Sequence, residues 1–508
     1  MEKRIKRLGV FMVLCFVALF IQLNNIQVIK ANSLANSQDN PRVIAVARSQ
    51  PRGAIISADG VTLASSVATP QAVDKYKRVY NPNSATLFSQ IVGFDSPIYG
   101  HTTGVEGQYN SYLESHTRPA RTLRDLLVNR TTTDNVTLTI GTQLQSEVAQ
   151  AVLATNARGI APEAAAAVID PKTGAILAMY GNPTFDPRPL VDPNGNVERY
   201  YWTSLNPQSD QSPLVSRAFQ LGFSPGSTFK TVTSSAVYDH QPALTKVNYP
   251  VAGCIPLPQS DKQLCNYGLG AEKCGGTIQQ TLPASCNTAF AQMGMSLGAT
   301  SLTTEAQAFG FNQNIPIDLP GTATGYFPPD QPGAQYSLYN NAPSQAYSSI
   351  GQDNVNATAL QMALVAAGLA NQGVIMTPHV MEQIRDSQGN LVTAYKPKPW
   401  LTATSAFTAA AVTSLMQAVV TKGTAAPSAS FSGFPASWNV AAKTGTAETT
   451  NASGQALTND WMIAFAPAND PKVAVAVVVP FQPADQTGAS TSGPPMKTIL
   501  GDALGETP

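Results

Sequence analysis

The hydrophobic pattern divides the chain into three stretches of different character. An uncharged, mainly apolar run fills residues 8–23. Between residues 42 and 140, short apolar runs alternate with turn signals such as Asp59-Gly60, which is typical of β-strands joined by tight turns. Later in the chain, some segments show the spacing of an amphipathic helix and others are short, unbroken apolar runs. The pattern therefore predicts one apolar segment followed by two folded regions.

The beginning of the chain has the features of a membrane anchor. Residues 1–7 are rich in Lys and Arg, and the apolar run can be extended to residue 29. Such a segment approaches the length that a bilayer core requires, and flanking basic residues favour the cytoplasmic side. We therefore expect a cytoplasmic tail (1–7), one transmembrane signal anchor (8–29) and an extracytoplasmic body. The alternative is a cleaved signal peptide, although Ala31-Asn32-Ser33 is a poor cleavage site.

The next part of the chain is predicted to be a polar linker (30–41) and a strand-rich module (42–156). The predicted strands of this module are 54–56, 61–64 and 136–140. Residues 143–156 show helical spacing of apolar residues and lead into the next region. No catalytic set of residues is apparent in this module.

Residues 157–508 are predicted to form a second, larger domain. Its predicted strands are 164–169, 175–180, 440–446, 461–466 and 473–480, and its predicted helices are 227–238, 285–297, 357–370 and 406–420. The first two strands flank a Pro/Gly turn and form a β-hairpin. Strands at both ends with helices between them predict one antiparallel sheet packed against helices, an α+β fold. Composition predicts loops at 331–344 and 482–495.

Composition and charge make several classes of function improbable. The chain has 508 residues, which fits two or three globular units. Its 31 basic and 31 acidic residues give no net charge, so the basic surface that nucleic acid requires is not expected. The four histidines are well separated, and no Cys-x-x-Cys or His-Glu-x-x-His pattern is present. We therefore expect neither a metal nor another cofactor.

Four of the five cysteines are close together in the sequence. Cys254, Cys265, Cys274 and Cys286 belong to a region that we expect outside the cytoplasm, where disulfides persist. Four cysteines allow three pairings, and we favour nearest neighbours, Cys254 with Cys265 and Cys274 with Cys286. The alternative is that some of them are buried free thiols. Cys15 lies in the apolar run.

Ser227-Thr228-Phe229-Lys230 is the first candidate for chemistry. It follows Pro225-Gly226, so we expect a helix to begin here with Ser227 in its first turn. The N–H groups at a helix start favour an alkoxide or oxyanion, and Lys230 shares the helix face of Ser227. A serine becomes a good nucleophile when a base takes its proton, and a lysine can be that base when burial or another cation lowers its pKa. In isolation, this tetrapeptide would be an ordinary exposed helix start.

Ser285-Cys286-Asn287 is the second candidate and opens another predicted helix. The Ser285 hydroxyl could relay a proton, and the Asn287 amide could hold both a lysine and a substrate carbonyl. Taken alone, this tripeptide is more typical of a helix cap.

Lys443-Thr444-Gly445-Thr446 is the third candidate and ends a predicted strand. Gly445 has no side chain and lets another backbone approach the strand edge. Lys443 would bind a carboxylate and help to lower the pKa of Lys230, while Thr444 and Thr446 offer hydroxyl groups. On its own, the tetrapeptide would be a strand end with a solvated lysine.

Together and in this order, the three motifs match the Ser-x-x-Lys, Ser-x-Asn and Lys-Thr-Gly set of penicillin-binding proteins and serine β-lactamases. The chain resembles a class B penicillin-binding protein over nearly its whole length, and it is most similar to the penicillin-binding protein A type of actinobacteria. Further segments that resemble this family are 51–55, 104–109, 170–179, 217–219 and 460–467. The resemblance implies a transpeptidase domain with a five-stranded antiparallel sheet flanked by helices, and a pedestal or dimerisation-like module before it.

The resemblance also implies the activity of a peptidoglycan D,D-transpeptidase. Ser227 would attack the penultimate D-Ala carbonyl of a stem pentapeptide, with Lys230 as general base and Ser285 returning the proton to the leaving group. β-Lactams would acylate the same serine. The backbone N–H groups of Ser227 and Thr446 would form the oxyanion hole. The terminal carboxylate would be held by Lys443, Thr444 and Thr446.

The partners implied by the resemblance are peptidoglycan stem peptides, β-lactam antibiotics, the cytoplasmic membrane and a SEDS-family glycosyltransferase or other cell-wall machinery. A disulfide between Cys274 and Cys286 would fix the loop that carries Ser285 and Asn287.

Two alternative functions are compatible with the same fold. One is a β-lactam-hydrolysing enzyme, for which the long N-terminal module is superfluous, and the other is a division or elongation scaffold whose catalysis is dispensable.

Overall fold

The computed structural model describes residues 2–30, 49–70, 75–96, 98–117, 131–157, 163–426, 431–451 and 453–505. All but the first residue of the predicted linker (30–41) therefore lie outside the described residues. The strands are β1 (Ile55–Ile56), β2 (Thr62–Ala68), β3 (Tyr76–Tyr80), β4 (His116–Thr117), β5 (Thr131–Thr132), β6 (Asp134–Leu138), β7 (Ala164–Ile169), β8 (Ile176–Asn182), β9 (Tyr249–Ala252), β10 (Cys254–Pro256), β11 (Gln263–Cys265), β12 (Cys274–Gly276), β13 (Val374–Met376), β14 (Met381–Asp386), β15 (Leu391–Ala394), β16 (Pro399–Thr402), β17 (Ala441–Thr450), β18 (Ala456–Ala466) and β19 (Val473–Pro483).

The described α-helices are α1 (Glu2–Asn24), α2 (Ala85–Val92), α3 (Gly104–Gln108), α4 (Asn110–Leu113), α5 (Thr142–Ala157), α6 (Gly195–Ser204), α7 (Lys230–His240), α8 (Ile278–Thr281), α9 (Asn287–Ala308), α10 (Ala342–Ser348), α11 (Ala359–Ala370), α12 (Ala406–Lys422), α13 (Gly488–Thr491) and α14 (Gly493–Ala503). A π-helical turn, Asn25–Ile29, extends α1. Short 3-10 helices cover Arg188–Val191, Gly226–Phe229, Pro242–Lys246 and Ala436–Trp438.

Helix α1 has the length and composition of a membrane span. The apolar side chains of Phe11, Phe16 and Phe20 are exposed rather than packed against the protein. Residues 3–27 are the one segment among the described helices that is long and apolar enough to cross a bilayer. An exposed apolar helix of this kind is stable when lipid replaces water around it.

A six-stranded sheet in the order β15–β14–β6–β1–β2–β3 organises the N-terminal module. In β6, buried side chains alternate with half-buried ones, as expected for a strand with one face on a core. The predicted hairpin turn at Asp59-Gly60 joins β1 to β2, and Gly60 has a φ of 82°, which a glycine adopts without strain. The hairpin β14–β15 comes from the C-terminal half of the chain and completes this sheet, a pairing that was not predicted.

A five-stranded antiparallel sheet in the order β17–β18–β19–β7–β8 confirms the predicted α+β domain. Alternate residues of each strand face two separate hydrophobic clusters. Helix α11 packs on one face, whereas α5 and α14 pack on the other. Because both faces are covered, the first eight residues of β19 are all buried, and the strand is an almost continuous apolar run.

Two segments differ from the sequence prediction. Helix α5, assigned to the end of the N-terminal module, packs on the five-stranded sheet, where the Gln145 side chain donates to the backbone oxygen of Met179 at 2.8 Å and accepts from its N–H at 2.9 Å. The predicted loop 482–495 contains the end of β19, all of α13 and the start of α14. Its polar composition is misleading because Thr487 caps α13, and Pro494 lies in the first turn of α14, where proline is well tolerated.

Candidate active site

The 3-10 turn Gly226–Phe229 places Ser227 at the start of α7. Gly226 has a φ of 53°, and its N–H donates to Gly351 O at 2.9 Å. A Cβ at position 226 would lie 2.9 Å from the carbonyl oxygen of Thr446, so glycine allows this turn to touch β17. Ser227 is half-buried, while Lys230, one turn later, is fully buried.

Lys230 is surrounded by neutral hydrogen-bond acceptors. Its Nζ donates to the backbone oxygen of Ser285 and to Oδ1 of Asn287, both at 2.7 Å. Ser285 Oγ is farther away, at 3.5 Å. Burial, and to a smaller extent the charge of Lys443, lowers the pKa of Lys230 well below its ordinary value. The structure therefore brings the first two motifs into direct contact.

Lys443, on strand β17, also contacts Ser285. Its Nζ donates to Ser285 Oγ and to the backbone oxygen of Thr444, both at 2.8 Å. The side chain is completely buried, and this burial lowers the pKa of Lys443 to about 7. The Ser285 hydroxyl thus lies between the amino groups of the two lysines, and all three motifs meet.

A cysteine-rich hairpin region supports the Ser285 loop. The structure pairs Cys254 with Cys265 and Cys274 with Cys286, the nearest-neighbour arrangement. Ser285 itself has a φ of 55°, a left-handed conformation that a serine adopts only at a cost. The disulfide at the next residue attaches this strained turn to β12.

The same region also holds the second motif by hydrogen bonds. Asn287 Nδ2 donates to Cys265 O at 3.0 Å, and Thr288 N–H donates to Asn266 Oδ1 at 3.0 Å. The Asn287 amide is therefore oriented with its oxygen toward Lys230 and its nitrogen toward the β11 carbonyl.

Gly445 lets strand β17 lie directly against the serine turn. A Cβ at this position would be 2.7 Å from Pro225 O and 3.1 Å from Thr228 N. Opposite Gly445 on β18, Trp461 donates from Nε1 to Ser224 O at 2.9 Å. The strand edge and the helix start are thereby held together.

Several contributing residues were missed by the sequence analysis. Thr424 Oγ1 lies 2.6 Å from Thr444 Oγ1, and the Gly488 N–H donates to Thr446 Oγ1 at 3.1 Å. Trp461 and Asn266 were not assigned a role either. Nothing in the local pattern marks Thr424, because its partner is brought close only by the fold. The cap at Thr487 is the one local signal that could have drawn attention to Gly488.

The arrangement is suited to acyl transfer by a serine. A half-buried hydroxyl at a helix start is suited to act as a nucleophile, and a buried lysine of lowered pKa is suited to act as a base. A second lysine on a strand edge is suited to bind an anion. Among the described residues, no group of three or more His, Cys, Asp and Glu could hold a metal ion. These features define the class of serine acyl-transfer enzymes that react with penicillin.

Comparison with known proteins agrees with this class. Residues 164–501 match the penicillin binding protein transpeptidase domain, and residues 52–136 match the penicillin binding protein A dimerisation domain. The chain therefore belongs to the penicillin-binding proteins, and the resemblance predicted from the three motifs is confirmed.

Individual relatives match over the full length. Peptidoglycan D,D-transpeptidase PbpA of Mycolicibacterium smegmatis is 33% identical over 521 residues, covering 100% of both chains. The protein of the same name from Mycobacterium tuberculosis is 32% identical and covers 99% of both chains. The penicillin G acyl-enzyme complex of penicillin-binding protein A from M. tuberculosis has a TM-score of 0.77 and 30% identity, covering 90% of this chain and 100% of that chain.

Proposed function

We propose that the protein is a peptidoglycan D,D-transpeptidase that forms an acyl-enzyme on Ser227. The observation that carries the proposal is the environment of Lys230, which is fully buried and, within the described part of the chain, donates only to neutral acceptors. A lysine in such a site releases its proton and can act as a general base.

The hydrogen bonds of Lys230 fit a neutral amine. An uncharged amino group has two N–H donors and one lone pair. The two short contacts, to Ser285 O and Asn287 Oδ1, use both donors. The lone pair is then available for the hydroxyl proton of Ser227, one helical turn away.

Acylation begins when Ser227 Oγ attacks the carbonyl carbon of the penultimate D-Ala and its proton passes to Lys230 Nζ. The backbone N–H groups of Ser227 and Thr446 stabilise the oxyanion. The C–N bond to the terminal D-Ala then breaks, and the leaving amine receives the proton through Ser285 Oγ. The 2.8 Å contact with Lys443 Nζ positions that hydroxyl.

In deacylation, an amine of a neighbouring stem peptide attacks the acyl carbon and forms the C–N bond of the cross-link. The ester bond to Ser227 Oγ breaks, and the proton that the amine loses returns to Ser227 Oγ. The terminal carboxylate of the donor peptide binds to Lys443, Thr444 and Thr446. A β-lactam carries a similar carboxylate, and opening of its ring leaves Ser227 acylated because the amine does not depart.

The domain organisation supports a membrane-anchored enzyme. We assign residues 1–7 to a cytoplasmic tail, 8–29 to the single membrane span and 30–41 to a linker. Residues 42–156 are the N-terminal module and 157–508 the transpeptidase domain, with α5 packed on the latter. The disulfide-bonded domain is extracytoplasmic, where peptidoglycan is available. A SEDS-family glycosyltransferase is the expected membrane partner.

Intact-mass labelling of the full-length protein in detergent tests the proposal. Penicillin G should add one adduct that persists through the measurement and maps to Ser227. Ser227→Ala should abolish the adduct, while the matched change Ser224→Ala, three residues earlier, should retain it. An adduct that maps to another residue would overturn the assignment of the nucleophile, and rapid turnover would indicate a β-lactam-hydrolysing enzyme.

A further inference from the structure

Both threonine hydroxyls of the third motif have hydrogen-bond partners outside the three motifs. Thr446 Oγ1 accepts from the Gly488 N–H at 3.1 Å. Thr444 Oγ1 lies 2.6 Å from Thr424 Oγ1, a residue just beyond the end of α12. Thr444 is largely buried and Thr424 is half-buried, so their contact is partly protected from competing water.

Thr424 is held in place by the loop that carries the second motif. Its N–H donates to Pro283 O at 3.1 Å. A Cβ on the preceding Gly423 would lie 2.3 Å from the same carbonyl oxygen, so glycine allows this close approach. Pro283 is two residues before Ser285. Thr424 therefore joins the Ser285 loop to strand β17, the two elements that present the motif side chains.

The direction of the two hydrogen bonds determines what the threonines can bind. A hydroxyl has one hydrogen to donate and can also accept. Thr446 already accepts from a backbone N–H, so its hydrogen stays available for a ligand. Thr444 has its hydrogen available only if the bond runs from the Thr424 hydroxyl to Thr444 Oγ1. In that direction both threonines offer O–H donors, which suits an anion.

We propose that Thr424 is a positioning residue that donates its hydroxyl hydrogen to Thr444 and so presents the Thr444 hydroxyl as a donor to the terminal carboxylate of the acyl donor. The inference rests on the proposed function, because the carboxylate belongs to its substrate. Thr424 itself does not touch the substrate. Its effect should therefore depend on whether the substrate carries a free carboxylate.

The test compares penicillin G with its methyl ester, which lacks the carboxylate, on the full-length protein. The quantity measured is the second-order rate of acylation followed by intact mass. Thr424→Val keeps the side-chain volume but removes the hydroxyl that orients Thr444, and it should lower the rate with penicillin G about five-fold, the size expected for a neutral hydrogen bond. The rate with the methyl ester should change less than about two-fold.

Two further variants complete the design. Thr424→Ser restores the hydroxyl and should recover the rate with penicillin G, whereas Thr421→Val, at an exposed site one turn earlier, should leave both rates unchanged. If Thr424→Val does not fold, Thr424→Ala is measured instead, with the same expected dependence on the carboxylate.

Equal losses with both compounds would overturn the inference, because they would indicate a purely structural role. Unchanged rates with both would also overturn it. The proposed function fails separately, if the unmodified protein forms no adduct on Ser227 with penicillin G.

Discussion

Two regions of the molecule bury a pair of basic side chains, and they do so with opposite consequences. In the N-terminal module, Arg52 and Arg78 converge on the carboxylate of Glu106. In the catalytic domain, Lys230 and Lys443 converge on a serine hydroxyl. Each region buries two basic side chains, but one pair has an anion between its members and the other has a neutral hydroxyl.

In the N-terminal module, the charges are compensated. Arg52 Nε lies 2.7 Å from Glu106 Oε2, and Arg78 Nε lies 2.6 Å from Oε1 of the same carboxylate. Tyr80 OH donates to this carboxylate at 3.2 Å. Burial by itself would lower the pKa of Arg52, but the carboxylates of Glu106 and Asp95 raise it above its ordinary value. The two arginines therefore have a compensating anion between them.

In the active site, the two amino groups have hydroxyl, amide and carbonyl oxygens as partners instead of a carboxylate. Among the described residues, neither lysine has a carboxylate within ion-pair distance, and burial lowers the pKa of both. A buried amine whose pKa is lowered can exchange a proton near neutral pH. The lysines suit this site to catalysis because no carboxylate among the described residues lies beside them, since a neighbouring anion would raise their pKa.

The largest expected effect follows from placing an anion beside Lys230. Asn287→Asp puts a carboxylate where an amide oxygen now lies 2.7 Å from Nζ. An opposite charge at this distance favours the protonated lysine and raises its pKa. Lys230 would then be charged at neutral pH, and acylation by penicillin G should fall at least about 100-fold.

The pH dependence distinguishes this electrostatic effect from a structural one, since the aspartate also loses the hydrogen bond from Nδ2 to Cys265 O. With a raised pKa, the neutral fraction of Lys230 increases as the pH rises, so the acylation rate of the variant should climb toward that of the unmodified protein in alkaline solution. A rate that stays low at every pH would contradict the electrostatic explanation.

The second-largest effect is expected when the Glu106 carboxylate is removed from the N-terminal module. Glu106→Gln removes the carboxylate that pairs with buried Arg78 and leaves Arg52 with only the more distant carboxylate of Asp95, at 3.6 Å. Breaking a buried pair in this way costs about 3–5 kcal/mol. The N-terminal module should unfold at a lower urea concentration. The acylation rate of the folded protein should be unchanged, because the cluster belongs to another sheet.

Glu382→Gln is the matched control, since this exposed glutamate lies on β14 of the same six-stranded sheet. Its stability should change by less than about 0.5 kcal/mol. A Glu106→Gln variant as stable as this control would show that the buried ion cluster does not hold the module together.

The sequence was informative where the structure depends on local pattern. The five-stranded sheet was predicted because its strands are short apolar runs, and the three motifs that meet in the structure were singled out because each has a distinctive local context. Strand pairing between segments that are distant in the sequence could not be predicted from local pattern. The hairpin β14–β15 is largely polar, so nothing in its pattern indicates that it joins β6.

The same limit applies within the site. Ser285 and Lys443 are 158 residues apart, and their contact follows from the family resemblance rather than from spacing. The bond between Thr424 and Thr444 had no such support, because Thr424 belongs to none of the motifs. The left-handed conformation of Ser285 was not expected either, since serine has no preference for it.

Asp460 is a buried acid, and its substitution gives the smallest of the expected effects. It lies opposite Thr446 in the sheet, is completely buried and accepts from Thr491 Oγ1 at 2.8 Å. Among the described residues, no basic side chain pairs with it. Burial raises the pKa of Asp460 to about 7, although hydrogen bonds from Thr491 and Thr458 oppose the shift.

Because its pKa is higher in the folded state than in the unfolded chain, Asp460 favours folding while it is protonated, and this contribution is lost as the pH rises toward and through about 7. Asp460→Asn cannot ionise and keeps an oxygen for Thr491. The stability of the variant relative to the unmodified protein should therefore increase by about 2 kcal/mol between pH 5 and pH 8, measured by urea unfolding. Asp261→Asn, at an exposed position, should show no comparable increase. If the difference in unfolding free energy between Asp460→Asn and the unmodified protein stays constant across this range, the fold tolerates the charged carboxylate of Asp460. The contrast between buried groups with and without a compensating charge would then apply to the basic side chains alone.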